Sequence, residues 1–112
     1  MELSTTRHGD MIIVNVIAAR IDAAAAIAFK DAMRGAVADG PTHVVLDLGN
    51  VTFVDSSGLG AIVSAMKTMG DGRRLDLAAL TPDVAKVFRL TRMDTVFVIH
   101  DAIDALTTRA TG

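Results

Sequence analysis

Apolar positions recur along the chain in two alternating periods. Met11-Ile12-Ile13-Val14-Asn15-Val16-Ile17 is rich in β-branched residues and predicts a buried strand. A shorter strand around Leu3–Arg7 precedes it, paired across a turn at Gly9-Asp10. From Ala23 to Ala38 the period becomes helical: Phe29, Met33 and Val37 stand four apart, with Ala32 and Ala36 beside them. Asp22 is placed to cap that helix, and Gly40-Pro41 ends the unit. Val44-Val45-Leu46-Asp47-Leu48 predicts a central strand covered on both faces. A second helix is predicted over Ser57–Met69, with the stripe Leu59, Ile62, Val63, Met66. Gly70-Asp71-Gly72 breaks it, and Leu75–Leu80 predicts a third strong strand. Thr81-Pro82-Asp83 opens another helix, with Thr81 as cap, Pro82 at its first position and Val84, Val87 and Phe88 on its apolar face. Val96–Ile99 predicts a last strand and Asp101–Thr108 a last helix, with Ile103 and Leu106 three apart.

The order is β-β-α-β-α-β-α-β-α. Strands alternating with helices imply βαβ units, right-handed crossovers and a mixed, mainly parallel sheet, an α/β fold. The 112 residues suit a single domain over 1–112, without internal repeat or linker.

Composition narrows the function classes. Hydrophobic residues are 51% and charged residues 21%, which excludes a disordered chain. The 18 alanines favour closely packed helices. Aromatics are only 4%, with no Trp or Tyr, so platforms for stacking single-stranded nucleic acid are missing. A net charge of −2 offers no basic footprint for a phosphate backbone, and nucleic acid is not an expected partner. The absence of cysteine removes disulfides, thiolate catalysis and Cys-ligated zinc, and fits a cytoplasmic location. The N-terminal ten residues lack the apolar core of a signal peptide. Met11–Ala19 and Ala23–Phe29 both end at a charge, short of the roughly 20 residues a bilayer span needs, so no membrane association is expected.

In open α/β sheets functional groups collect beyond the carboxyl ends of the strands. Those ends carry Arg20 and Asp22, then Asp55-Ser56-Ser57, then Thr81 and Asp83, then His100 and Asp101. The densest stretch is Val51-Thr52-Phe53-Val54-Asp55-Ser56-Ser57-Gly58-Leu59-Gly60. Two glycines in a helix's first turns cost about 1 kcal/mol each against alanine, so something should compensate. One reading is structural: Asp55, Ser56 or Ser57 caps the helix and the glycines permit tight packing. The other is functional: bare backbone admits another surface, and free amides beside the serine hydroxyls hold an anion.

A serine nucleophile would need a histidine base held by a third group. His8 sits in a turn and His43 precedes a strand at the far end from Ser57, which leaves His100. The nucleophile-elbow pattern is missing around Ser57, and neither a dinucleotide fingerprint nor a P-loop is present. Asp22, Asp55 and His100 as metal ligands are weighed against ordinary capping, which such carboxylates usually perform; no metal and no cofactor is expected. Arg73-Arg74 read as solvated turn residues, and Met66 and Met69 as core or its fringe.

Val44–Gly70 resembles the signature of the STAS family, and more narrowly of bacterial anti-sigma factor antagonists. The likeness runs through Asp47-Leu48 and Phe53-Val54 to Asp-Ser-Ser-Gly-Leu-Gly at Asp55–Gly60. It extends to Ile21-Asp22 before the first helix and to Phe88–Phe97, so it covers nearly the whole chain. Two features depart from the family pattern: Ala19 replaces the usual glycine, and the helix after Asp22 opens on the alanine run Ala23–Ala26.

The resemblance implies a right-handed βα superhelix and a regulator that is not an enzyme. It implies binding to an anti-sigma factor that is also an ATP-dependent serine kinase, with release of a sigma factor. Ser57 is then the phosphorylated serine, and a PP2C-type phosphatase restores the binding form. The partner surface implied is Asp22, Asp55, Ser56, Ser57, Gly58, Leu59 and Gly60. A monomer is expected, because the sequence shows no extra apolar helix face. The alternatives are an unphosphorylated STAS scaffold of a stressosome-like or lipid-transport complex, and a small hydrolase using Ser57 and His100.

Overall fold

A computed structural model describes residues 1–38, 40, 42–104 and 106. Five strands form the main sheet: β1 (Leu3–His8), β2 (Met11–Val16), β4 (His43–Asp47), β6 (Arg74–Ala78) and β7 (Ile99–His100), in the order β1-β2-β4-β6-β7. β1 and β2 form an antiparallel hairpin, and the β2-β4, β4-β6 and β6-β7 pairs are parallel. Two further strands, β3 (Arg20–Ile21) and β5 (Phe53–Val54), pair with each other in parallel, apart from the main sheet. The helices are α1 (Ala23–Ala36), α2 (Ser56–Met69) and α3 (Pro82–Leu90), followed by a 3-10 turn at Met93–Thr95.

Strand alternation gives the main sheet two different faces. Ile12, Val14 and Val16 of β2, Val44 and Leu46 of β4, and Leu75 and Leu77 of β6 join the helices in the principal core. Phe29 and Met33 of α1, Ile62 and Met69 of α2, and Phe88 of α3 are buried against them. The opposite face holds a smaller cluster of Met11, Ile13, Val45 and Ala78, covered by Ile103 and Leu106. β4 is therefore buried on both sides, as its unbroken apolar run predicts.

Several boundaries differ from the sequence expectations. α1 ends at Ala36, with Val37 as its C-cap. β6 starts at Arg74 and stops at Ala78, because Ala79 turns into the left-handed region at φ 60°. The last strand is Ile99–His100; Val96 caps the 3-10 turn. The predicted helix Asp101–Thr108 lies partly outside the described residues. Thr81 precedes α3 but makes no side-chain cap; its hydroxyl donates to the Val51 carbonyl at 2.7 Å. α2 buries Gly58, Ala61, Ile62, Ala65 and Met69, while Leu59, Val63 and Met66 stay partly exposed. The small residues Gly58, Ala61 and Ala65 let α2 lie close against α1 and β3, and Ile62 and Met69 are buried in the same core. Among the described residues, no helix is long and apolar enough to cross a membrane.

Candidate functional site

The β3-β5 ladder brings the site together. Arg20 pairs with Phe53 and Ile21 with Val54, so the next residues, Asp22 and Asp55, leave the ladder side by side and each begins a helix. Backbone bonds prolong this pairing: the Thr52 amide donates to the Ala19 carbonyl at 2.8 Å. Asp22 Oδ1 accepts the Ala25 amide at 3.1 Å, capping α1. Asp55 Oδ1 accepts the Gly58 amide at 2.9 Å, capping α2, and its Oδ2 accepts the Ala23 amide at 3.3 Å. One carboxylate thus serves the first turns of two helices, whose positive dipole ends converge.

This arrangement explains Gly58. A Cβ there would overlap the Ile21 carbonyl oxygen, at 1.8 Å, so α2 can approach β3 this closely only without a side chain. Ser56 and Ser57, next to it, are exposed; Leu59 is half-buried against the core and Gly60 is exposed. Asp22, Asp55, Ser56, Ser57 and Gly58 are thus brought together at the paired helix starts.

Arg20 completes the electrostatics. Its Nε lies 3.3 Å from Asp22 Oδ2, and its guanidinium sits 4.2 Å from the centre of the Phe53 ring. The Arg20 hydrogen bond, helped by the Ala25 amide, holds the Asp22 carboxyl below its ordinary pKa against the opposing pull of desolvation. Phe53, Ile17 and Ile27 are exposed large apolar residues, and Ile17 shares an open cleft with Arg20 and Ala28. Sequence reasoning passed over Ile27. The available signal was its place two positions before Phe29, about 200° round α1 from the Phe29–Met33–Val37 stripe and so on the opposite face.

Thr81 and His100 serve other purposes. Thr81 is tied to Val51, and His100 belongs to a second polar cluster on the other face of the sheet. There Asp76, only 1% exposed, gathers three donors on its Oδ2: Arg74 Nη2 at 2.7 Å, His43 Nε2 at 2.8 Å and His100 Nε2 at 2.9 Å. Arg74 Nε also donates to Asp76 Oδ1 at 2.8 Å. Desolvation raises the Asp76 pKa, but the hydrogen bonds from Arg74, His100 and His43 outweigh it and bring it to about 2. The same contact raises the Arg74 pKa. Arg74 is solvated, as expected, but it stands in strand β6 and not in the turn, and it grips a buried carboxylate; Arg73 donates to the Val37 carbonyl at 2.7 Å. The geometry also separates His100 from Ser57. His100 is in register with Ala78 on the minor-core face, whereas α2 packs on the opposite face. An imidazole so placed and so engaged is not a base for Ser57.

The comparisons with known proteins agree with this architecture. The STAS domain family model matches residues 2–106. The anti-sigma-F factor antagonist RsfB of Mycobacterium tuberculosis is 30% identical over 91 residues, spanning 78% of this chain and 75% of that protein. The crystal structure of an anti-sigma factor antagonist from Mycobacterium paratuberculosis superposes with a TM-score of 0.84 at 26% identity, covering 99% of this chain and 94% of that one. The Bacillus cell fate determinant SpoIIAA in its phosphorylated form shares the fold, with a TM-score of 0.67 at 18% identity and 96% of each chain covered. The family model spans nearly the whole described chain and the 30% identical relative spans more than three quarters of it, so this chain belongs to the STAS domain family.

Proposed function

We propose that the protein is a cytoplasmic, monomeric anti-sigma factor antagonist. It binds an anti-sigma factor that is also a serine kinase and thereby frees a sigma factor. Phosphorylation of Ser57 by that kinase ends binding, and a PP2C-type phosphatase restores it. The observation that carries the reading is the exposure of Ser57 beside Asp55, where the first turns of α1 and α2 meet. The likeness to an anti-sigma-F factor antagonist supports the same role.

The site's chemistry suits a charge switch. A phosphate on Ser57 adds nearly two negative charges. Within the free domain, the two adjacent helix N-termini favour that charge. Within a protein interface the same charge must be desolvated next to the Asp55 carboxylate, which disfavours the complex. Binding is thus lost while the fold is kept. The partner surface is Asp22, Asp55, Ser56, Ser57, Gly58, Leu59 and Gly60, with Gly58 contributing through the close packing that sets the position of its neighbours.

The decisive experiment is phosphopeptide mass spectrometry on the protein from its native cells, grown with and without stress. Phosphate on Ser57 that varies with conditions is the expected result. An unmodified Ser57 under every condition overturns the switch and favours a scaffold role.

A further inference from the structure

An open cleft of about 410 Å³ lies where the residues before β1, the segment joining β2 to β3 and the first turns of α1 meet. Small-molecule sites span roughly 300–1,000 Å³, so the space suits a ligand of modest size. Ile17, Ala18, Ala25 and Ala28 form its apolar wall, and Ile17 is 45% exposed. Solvent-side helix positions accept long polar residues with little loss of propensity, so propensity alone does not require alanine at Ala25 and Ala28. A larger side chain at either position would enter the cleft. The alanine run after Asp22, a departure from the family pattern, thus helps to keep this space open.

One side-chain cation borders the apolar wall. Arg20 lines the cleft and is held on two sides by its own chain. Its Nε donates to Asp22 Oδ2 at 3.3 Å, and its guanidinium lies 4.2 Å from the centre of the Phe53 ring. The side chain is still 60% exposed, and Nη1 and Nη2 have no acceptor among the described residues. A planar guanidinium with two open donor groups fits a carboxylate bidentately. Asp22 does not take up this charge alone, because its carboxylate also accepts the Ala25 amide at the start of α1. Ala25 belongs to the first turn of that helix, so the positive end of the α1 dipole borders the cleft as well. Glu2 also lines it, and its carboxylate disfavours a second negative charge on a ligand.

We infer that this cleft binds a small monocarboxylate with an apolar body. The carboxylate sits on the Nη1 and Nη2 groups of Arg20, and the body lies against Ile17, Ala18, Ala25 and Ala28. Phe53 and Asp22 hold the guanidinium in place before the ligand arrives, which lowers the ordering cost of binding. The site is separate from Ser57, which is no part of its wall, and it does not depend on the antagonist reading.

The test is an amide NMR titration of the full chain with sodium octanoate, with octan-1-ol as the uncharged control. The expected result is saturable shifts at Ile17, Ala18, Ala25 and Ala28, half complete at about 1 mM. Octan-1-ol at the same concentration should give less than about a tenth of those shifts. Arg20→Gln should weaken octanoate binding at least about tenfold. Arg20 also touches Asp22 and Phe53, so Ala28→Glu repeats the test with the guanidinium in place. Its carboxylate stands at an exposed helix position on the cleft wall and should repel the probe to a similar degree. No shift at these four amides up to about 10 mM octanoate overturns the inference. Equal shifts with octan-1-ol overturn it too, since apolar contact alone would then explain them. Wild-type octanoate affinity in either variant also overturns it.

Discussion

Asp55 Oδ2 accepts the amide of Ala23, a residue 32 positions earlier, at 3.3 Å, while its Oδ1 caps its own helix at Gly58. The starts of α1 and α2 are thus held by one side chain, whereas Asp22 caps only α1. Removing a helix cap costs about 1 kcal/mol, and a further hydrogen bond contributes about as much again. Asp55→Ala is therefore expected to lose about 2 kcal/mol in urea unfolding, and Asp22→Ala about 1 kcal/mol. Equal losses would mean that the Ala23 bond contributes nothing.

Gly58→Ala tests the close approach of α2 to β3. The new methyl group would collide with backbone, the Ile21 carbonyl, which cannot swing aside as a flexible side chain would. Overpacking of this kind costs about 3 kcal/mol. The variant should show a sharply lower urea midpoint, and a loss below 1 kcal/mol would show that helix and ladder separate easily.

The main architecture was legible because its elements carry strong periods. β4 reads as doubly buried from Val44-Val45-Leu46, and α1 from Phe29, Met33 and Val37, all of which are buried. The two-residue strands β3 and β5 were not legible, since two residues carry no period and their pairing joins positions 33 apart. Ser57 and its glycines stood out in the sequence as local composition. The double use of Asp55 did not, because Ala23 becomes its neighbour only through the β3-β5 ladder. The Asp76 cluster was hidden for a similar reason: His43, Arg74 and His100 come from three strands. A lone Asp inside Arg74–Ala78 gives no sign of the donors that satisfy it.

That buried carboxylate sets the acid limb of stability. In the folded chain the Asp76 carboxyl is held down to about 2, below the 3.8 of an ordinary aspartate, which applies when the chain is unfolded. A depressed folded pKa contributes stability that is complete above the unfolded value and is lost as pH falls from about 4 through about 2. The contribution is about 2 kcal/mol. Urea unfolding between pH 6 and pH 2 should show this decline in the wild type and a flatter profile in Asp76→Asn. Parallel profiles for the two proteins would remove Asp76 as its source.

Ala79 gives a prediction of the opposite sign. It ends β6 at φ 60°, a conformation that costs an L-residue about 1–2 kcal/mol. Its amide donates to the His100 carbonyl at 3.0 Å, which fixes the turn where β6 meets the end of β7. Glycine keeps that amide and removes the steric cost, at the expense of greater freedom in the unfolded chain. The net expectation for Ala79→Gly is a gain of about 0.5 kcal/mol. Valine, branched at Cβ, tolerates this φ far less well, so Ala79→Val should fall below the wild type. The pair is read from urea midpoints at neutral pH, and a destabilised glycine variant would show that the surrounding contacts, not the dihedral, govern this corner.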